Sequence, residues 1–287
     1  MVPYAPRAPR APRRFRIVRA CLLYCAASAG TTAVAHAETP VTATIVYEAG
    51  PAAILQNDGK YGANGTRYSA ADVGQRNNLL VSQRTSVELA RGRHRVILLY
   101  APFEVTTEVT LDQALQFRDT NFGAGTVVAH HYLFDGYRAS YLFRALERGA
   151  FKLEIGGSVQ IRNAEVAFRS LDGAQRDAEN DIGLVAAAKA RLWFAPSAQG
   201  SWAALEFDGL STFGLLSNVR GGIYDAQLMA GYPVARSIDL YLGARLLGGG
   251  ADVKSKDIYN WANFIAFTVG VRVSLDDLLG RRANAFQ

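Results

Sequence analysis

Hydrophobic and polar residues alternate with a period of two along most of the chain beyond residue 40. That spacing sends successive side chains to opposite faces of a β-strand. The clearest run is 264–275: Ile265, Phe267, Val269, Val271, Val273 and Leu275 share one face, and Ala266, Thr268, Gly270, Arg272 and Ser274 the other. Residues 137–145 repeat it, with Tyr137, Ala139, Tyr141, Phe143 and Ala145 against Arg138, Ser140, Leu142 and Arg144. Residues 151–162, 224–232 and 239–246 behave likewise. Together these runs predict about ten strands, near 41–49, 81–91, 94–109, 128–146, 150–169, 183–195, 201–213, 222–234, 237–249 and 260–275. Most are long enough to cross a membrane at a tilt, which takes ~9–11 residues, whereas soluble strands average ~5–6. No stretch beyond residue 38 approaches the ~18 consecutive apolar residues of a spanning helix.

The predicted links alternate in length. Those at 91–93, 147–149, 196–200 and 235–236 are tight; those around 50–80, 110–127, 170–182, 214–221 and 250–259 are long and rich in Gly, Asn, Asp and Ser. Short periplasmic turns and long extracellular loops are the arrangement of an outer-membrane barrel. A soluble barrel of the lipocalin type would instead turn the apolar face inward. Three features favour the apolar face outside. Strand length is the first. The second is the set of aromatic residues on that face (Tyr137, Tyr141, Phe151, Phe207, Tyr224, Tyr232, Phe267), many near strand ends where interfacial girdles sit. The third is charge matching: if Arg191 faces Glu206, the same antiparallel register sets Lys189 opposite Asp208 and centres the hairpin within 196–200. Such matching matters most in a confined lumen, where unpaired charge is costly. The expected fold is therefore all-β: a closed, antiparallel, transmembrane β-barrel of about ten strands over residues 38–275, monomeric, with a short periplasmic tail at 276–287.

Charge refines this picture. The 287 residues carry 31 Lys and Arg against 25 Asp and Glu, a formal net charge of +6. Residues 1–37 hold six arginines and no acid, which leaves the rest balanced. A neutral body argues against nucleic-acid binding, which needs a basic face to displace counterions. The arginine-rich residues 1–19, the apolar stretch 20–27 and the small residues ending Ala35-His36-Ala37 follow the order of a cleavable signal peptide over 1–37, cut before Glu38. Both cysteines, Cys21 and Cys25, would leave with it, and with them any disulfide, thiolate metal site or thiol nucleophile.

The last predicted strand resembles the assembly signal of bacterial outer-membrane β-barrel proteins through Thr268, Gly270, Val273 and Leu275. It departs from that pattern by ending on Leu275 rather than an aromatic residue and by continuing to Gln287. Three further stretches resemble small outer-membrane proteins without an assigned activity: Tyr132-x-Phe134-x-x-Tyr137-Arg138-x-x-Tyr141, Ile161-Arg162-Asn163-Ala164-Glu165-Val166-Ala167, and Gly249-Gly250-Ala251-Asp252 with Tyr259-Asn260 following. The resemblance implies export through the periplasm to the bacterial outer membrane, with the barrel assembly machinery and outer-membrane lipids as partners.

Chemical candidates are few. His130 and His131 are adjacent, so on a strand they point to opposite faces and cannot share a metal. The His-x-Ser pair of outer-membrane phospholipases and lipid A deacylases is absent, since His131 precedes Tyr132-Leu133 and His94 precedes Arg95-Val96. The Asp pairs and Asp-x-His element of omptin proteases are absent too. Glu206 and Asp208 share a face, but Lys189 and Arg191 opposite would keep both ionised, which suits an ion network. Gly248-Gly249-Gly250 opens no helix and lacks a following Lys-Ser/Thr, so it is no phosphate loop.

The polar face remains. Arg84, Arg138, Arg144, Lys152, Arg162, Lys189, Arg191, Arg245 and Arg272, with Glu88, Glu154, Glu206, Asp208, Asp225 and Asp239, are expected to line the lumen. Around eight strands the interior fills with side chains, so ten should be closed or narrowly pored. The expectation is a barrel with no catalytic residues, metal or cofactor, either structural or a narrow channel for small, preferentially anionic solutes. Two alternatives stand beside it: an envelope-lipid-modifying enzyme at the extracellular rim near His130 and Asp135, and a surface binding or adhesion protein acting through the 50–80 loop.

Overall fold

The computed structural model describes residues 40–197 and 200–278; the expected signal peptide and residues 279–287 of the expected tail lie outside the described residues. The strands are β1 (Thr42–Tyr61), β2 (Leu80–Arg91), β3 (His94–Ala101), β4 (Glu104–Thr110), β5 (Leu115–Phe117), β6 (Thr120–Phe122), β7 (Val127–Arg148), β8 (Phe151–Ser170), β9 (Arg176–Phe194), β10 (Trp202–Ser211), β11 (Val219–Ala235), β12 (Ile238–Val253) and β13 (Ile258–Ser274). Each long strand pairs antiparallel with its neighbours, β1 with β13 and β3 with β7, so the sheet closes. β3 and β4 hold one register against β7, with Ala101 opposite Gly136 and Glu104 opposite Leu133, and so form a single stave broken at Pro102. Counting them once gives a closed ten-stranded antiparallel barrel.

The alternation sorts as the sequence indicates. Outward lie Ile182 (76% exposed), Leu184 (75%), Leu242 (66%) and Val269 (62%), while the inward Glu88, Arg191 and Arg245 are 3–4% exposed. A β-structure with an apolar exterior and a charged interior suits hydrocarbon outside. The aromatics on the expected outer face are exposed (Tyr137, Tyr141, Phe151, Phe207, Tyr232 and Phe267), apart from Tyr224. Its hydroxyl donates to Asn263 at 2.7 Å and lies beside Gly248.

Several expected boundaries move. β1, β7, β8 and β9 run to 19–22 residues, well beyond what a membrane crossing requires. β1 absorbs residues assigned to a loop, because Ala52–Tyr61 continues to pair with β13. Leu275 leaves the last strand and opens a helical turn, Leu275–Leu278. There the Asp276 carboxylate accepts the Ala43 N–H at 2.7 Å and ties the end of β13 to the start of β1. Gly270, part of the assembly-signal pattern, has a packing role as well. A Cβ there would sit 2.1 Å from the Tyr241 ring, so only glycine admits that ring into the lumen.

The largest correction concerns two predicted surface loops. Residues 62–79 fold onto the barrel: Gly59 and Tyr68 exchange backbone hydrogen bonds at 3.0 and 2.9 Å, extending the free edge of β1. Tyr68, Ala70, Val73 and Gln75 are buried there. The β5–β6 hairpin joins them through Thr66 N–H to Gln116 O (2.8 Å) and Arg118 N–H to Tyr61 O (3.0 Å). Phe117 and Phe122 are completely buried against Phe168, with Tyr61, Tyr132, Phe103 and Phe264 in the same cluster. The physical reason is ordinary: these segments carry large apolar side chains that gain by leaving water, ~1.5–3 kcal/mol for each fully buried one.

Candidate functional site

The lumen is filled in layers. At the short-turn end lies an aromatic floor. Trp193 and Trp202 stack with ring centroids 4.4 Å apart, Tyr241 lies 5.7 Å from Trp202, and the Arg272 guanidinium sits 5.1 Å above Trp193.

Above it comes a charged belt. Arg191 meets Glu206 at 2.6 Å and Lys189 meets Asp208 at 2.6 Å, across the β9–β10 register that aligns both pairs. The belt also spans the barrel. Glu88 on β2 receives Arg191 at 2.8 and 3.0 Å, Arg95 at 2.8 Å and Arg272 at 3.4 Å. Arg95 also holds Glu154 at 3.1 Å. Arg245 grips Asp225 through Nε and Nη2, both at 2.8 Å, and Arg138 reaches Asp208 at 3.0 Å and Asp225 at 3.1 Å. Glu48 collects Arg84 at 3.0 Å, Gln227 at 2.7 Å and the Tyr241 hydroxyl at 2.6 Å. Among Arg84, Glu88, Lys189, Arg191, Glu206 and Arg272 lies a void of about 10 Å³.

Above the belt opens a cavity of about 250 Å³, just under the ~300 Å³ at which typical small-molecule pockets begin. Its floor is Arg138, Arg245, Asp208 and Asp225; its walls include Phe103, Phe134, Phe264, Leu247 and Ile258; Arg162, Asp181 and Lys256 stand toward the long-loop end. The apolar cluster formed by 62–79 and β5–β6 packs beside it.

Of the fifteen predicted lumen residues, Arg84, Glu88, Arg138, Glu154, Lys189, Arg191, Glu206, Asp208, Asp225, Arg245 and Arg272 belong to the belt, and Asp239 lies half-buried opposite Arg272 in the register. The other three lie elsewhere. Arg144 and Lys152 instead meet Glu147, at 3.0 and 3.2 Å, near the short-turn end, where Lys152 and Glu147 are about 40% exposed. A register shift between Arg144 and Leu146 brings Glu147 opposite Lys152. Arg162 pairs with Asp181 at the cavity rim. Sequence reasoning missed Glu48 and Arg95. Alternation through Val46, Glu48, Arg95 and Ile97 carries the signal.

His130 and Asp135 do not meet in the way the rim-enzyme alternative requires. His130 is completely buried, stacked 4.4 Å from the Phe168 ring, and neither ring nitrogen has a hydrogen-bond partner. The Asp135 carboxylate accepts the Phe103 N–H at 3.4 Å and so fills the bonding gap beside Pro102. His131 faces outward between Glu104 (2.9 Å) and Glu165 (3.2 Å).

No protein-family model matches the chain, and no curated protein sequence matches it. Among solved structures it is similar to Ail, the attachment invasion locus protein of Yersinia pestis, in complex with the heparin analogue sucrose octasulfate, with 12% identity over 80% of this chain and 98% of that one and a TM-score of 0.37. It is also similar to the outer membrane protease OmpT of Escherichia coli, with 10% identity, coverage of 83% and 98%, and a TM-score of 0.38. A third similar structure is the toluene transporter TodX of Pseudomonas putida, with 8% identity, coverage of 80% and 89%, and a TM-score of 0.30. At such values no activity transfers to this chain; the barrel itself rests on the strand register described above.

Proposed function

We propose that this protein is a monomeric, integral barrel of the bacterial outer membrane, without catalytic activity, whose lumen is sealed to ions by its own paired charges. The observation that carries this reading is the belt. The void at its centre, among Arg84, Glu88, Lys189, Arg191, Glu206 and Arg272, is about 10 Å³, at the limit for one water molecule, which needs ~10–15 Å³. A solvated ion needs more. Of the two roles the composition allowed, a structural barrel is therefore favoured over an anion channel.

The apolar exterior and the tight links at 92–93, 149–150 and 236–237 on one end, with the long 62–79 and 111–126 segments on the other, support the location, with outer-membrane lipids and the assembly machinery as partners. Against a rim enzyme stands the burial of His130 away from Asp135. Against adhesion through residues 50–80 stands the folding of residues 50–61 into β1 and much of the rest onto the barrel.

Planar-bilayer recording tests the proposal. The purified protein is expected to give no discrete current steps. A variant carrying Glu88→Ala and Arg191→Ala, which empties the middle of the belt, is expected to conduct. Steps from the unaltered protein would overturn the reading.

A further inference from the structure

The wall of the barrel has one seam. β2 and β3 pair from Arg91 opposite His94 up to Thr85 opposite Tyr100, and there the pairing stops. Carried further, the same register would set Gln83 opposite Pro102. Proline has no N–H to give to a ladder, so the chain is released at that point. Beyond it, Leu80–Arg84 still pair with β1 and Glu104–Thr110 with β7. Among the described residues, no backbone hydrogen bond joins β2 to β4. The upper part of this opening is bridged by residues 62–79, which bond to β1 through Tyr68 and reach β4 through Asn78 Nδ2 to Thr107 Oγ1 at 2.5 Å.

The lower part of the seam coincides with the cavity, since Ser82, Gln83, Leu99, Ala101 and Pro102 all line it. On the outside Leu79 and Val81 are exposed, and Tyr100 stacks on Tyr137 with centroids 4.8 Å apart. Just above, the outer face turns polar at Glu104 and His131. The seam thus sits where an apolar exterior meets a polar one, the level at which a lipid headgroup joins its chain.

The cavity's ends differ in chemistry. Its walls are mostly aromatic and aliphatic, whereas its floor is polar, with Arg138 and Arg245 set beside Asp208 and Asp225. Asp208 is held by Lys189 at 2.6 Å, by the Ser158 hydroxyl at 2.7 Å and by Arg138 at 3.0 Å, and the other floor carboxylate, Asp225, is shared by both arginines. A guanidinium has five N–H donors. The hydrogen bonds of Arg245 run through Nε and Nη2 and those of Arg138 through Nη1 and Nη2, so donors remain for a further acceptor. A carboxylate matches such a pair in charge and geometry.

We propose that the cavity is a binding site for a single-chain amphiphile with a carboxylate head, taken in sideways through the seam between β2 and the β3–β4 stave. The head rests on Arg138 and Arg245, and the chain lies along Phe103, Phe134, Phe264 and Leu247. This assignment uses the closed belt as the floor of the site.

The test uses the protein in phosphatidylcholine nanodiscs, with radiolabelled dodecanoate as probe and dodecanol as its uncharged counterpart. Dodecanoate is expected to bind saturably, one per barrel, about tenfold or more tighter than dodecanol. Arg138→Gln should remove that preference. Leu247→Trp, which fills the cavity and spares the belt, should abolish both. Absence of saturable binding, or equal binding of the two probes, overturns the site. For the route, Val81→Cys with Glu104→Cys places thiols on either side of the seam in a chain that has no cysteine beyond residue 25. Bridging them with a bis-maleimide should slow uptake about tenfold or more; an unchanged uptake rate overturns the sideways path. A barrel that conducts yet binds dodecanoate would refute the sealed lumen alone, and a silent barrel without saturable binding would refute this site alone.

Discussion

The two halves of the lumen are filled by opposite means. Toward the short turns the wall supplies its own filling, charged side chains from β1, β2, β3, β7–β13 that neutralise one another across the axis. Toward the long connections wall charges such as Arg162, Glu165, Glu179 and Asp181 border the cavity, and the apolar filling comes from residues 62–79 and β5–β6, which fold back with Tyr68, Val73, Phe117 and Phe122. Alternation in the wall strands can encode the first solution. The second depends on apolar residues in segments that lack any strand period. A ten-stranded barrel is too wide to be filled evenly by wall side chains alone, and the cavity lies where the two fillings meet.

The contrast predicts different penalties. Glu88→Leu should cost the most, ~3–5 kcal/mol, because it strands Arg95, Arg191 and Arg272 without their shared acceptor. Urea unfolding in lipid vesicles measures it, and an unchanged midpoint would mean that the belt is not an energetic unit. Phe168→Ala in the other half should cost ~3 kcal/mol, since neighbouring loops can settle into part of the gap. Its cost should add to that of Glu88→Leu within ~0.5 kcal/mol if the two halves are independent. Glu206→Leu should cost less, ~1–3 kcal/mol, because Arg191 keeps Glu88 and Lys189 keeps Asp208. A penalty as large as that of Glu88→Leu would move the centre of the network to β10. Smallest is Glu147→Gln: its contacts with Arg144 and Lys152 lie at a wet rim, so a midpoint shift above ~0.5 kcal/mol would be unexpected.

Much of the wall was legible in the sequence because a period of two is a strong local signal. The number of staves, the outward apolar face and the Arg191/Glu206 and Lys189/Asp208 register all follow from it. Cross-barrel partners were not legible. Nothing local tells Glu88 that Arg191, 103 positions away, completes its shell. Arg144 and Lys152 misled because the register shifts beside them, and one extra residue is enough to reassign a strand end. The inward folding of 62–79 escaped because Gly, Asn and Asp read as surface turn. The signal available was Tyr61, Tyr68, Val73, Phe117 and Phe122, large side chains with no reason to face water.

The aromatic floor has a practical consequence. Of the chain's three tryptophans, Trp193 and Trp202 lie together beneath Arg272, and Trp261 belongs to the opposite end of the barrel, on β13 opposite Asp58. Intrinsic emission therefore carries two spatially separate reporters. Replacing Trp261 with phenylalanine would leave an optical gauge of the short-turn end alone, able to show whether that end loosens before the rest of the molecule comes apart.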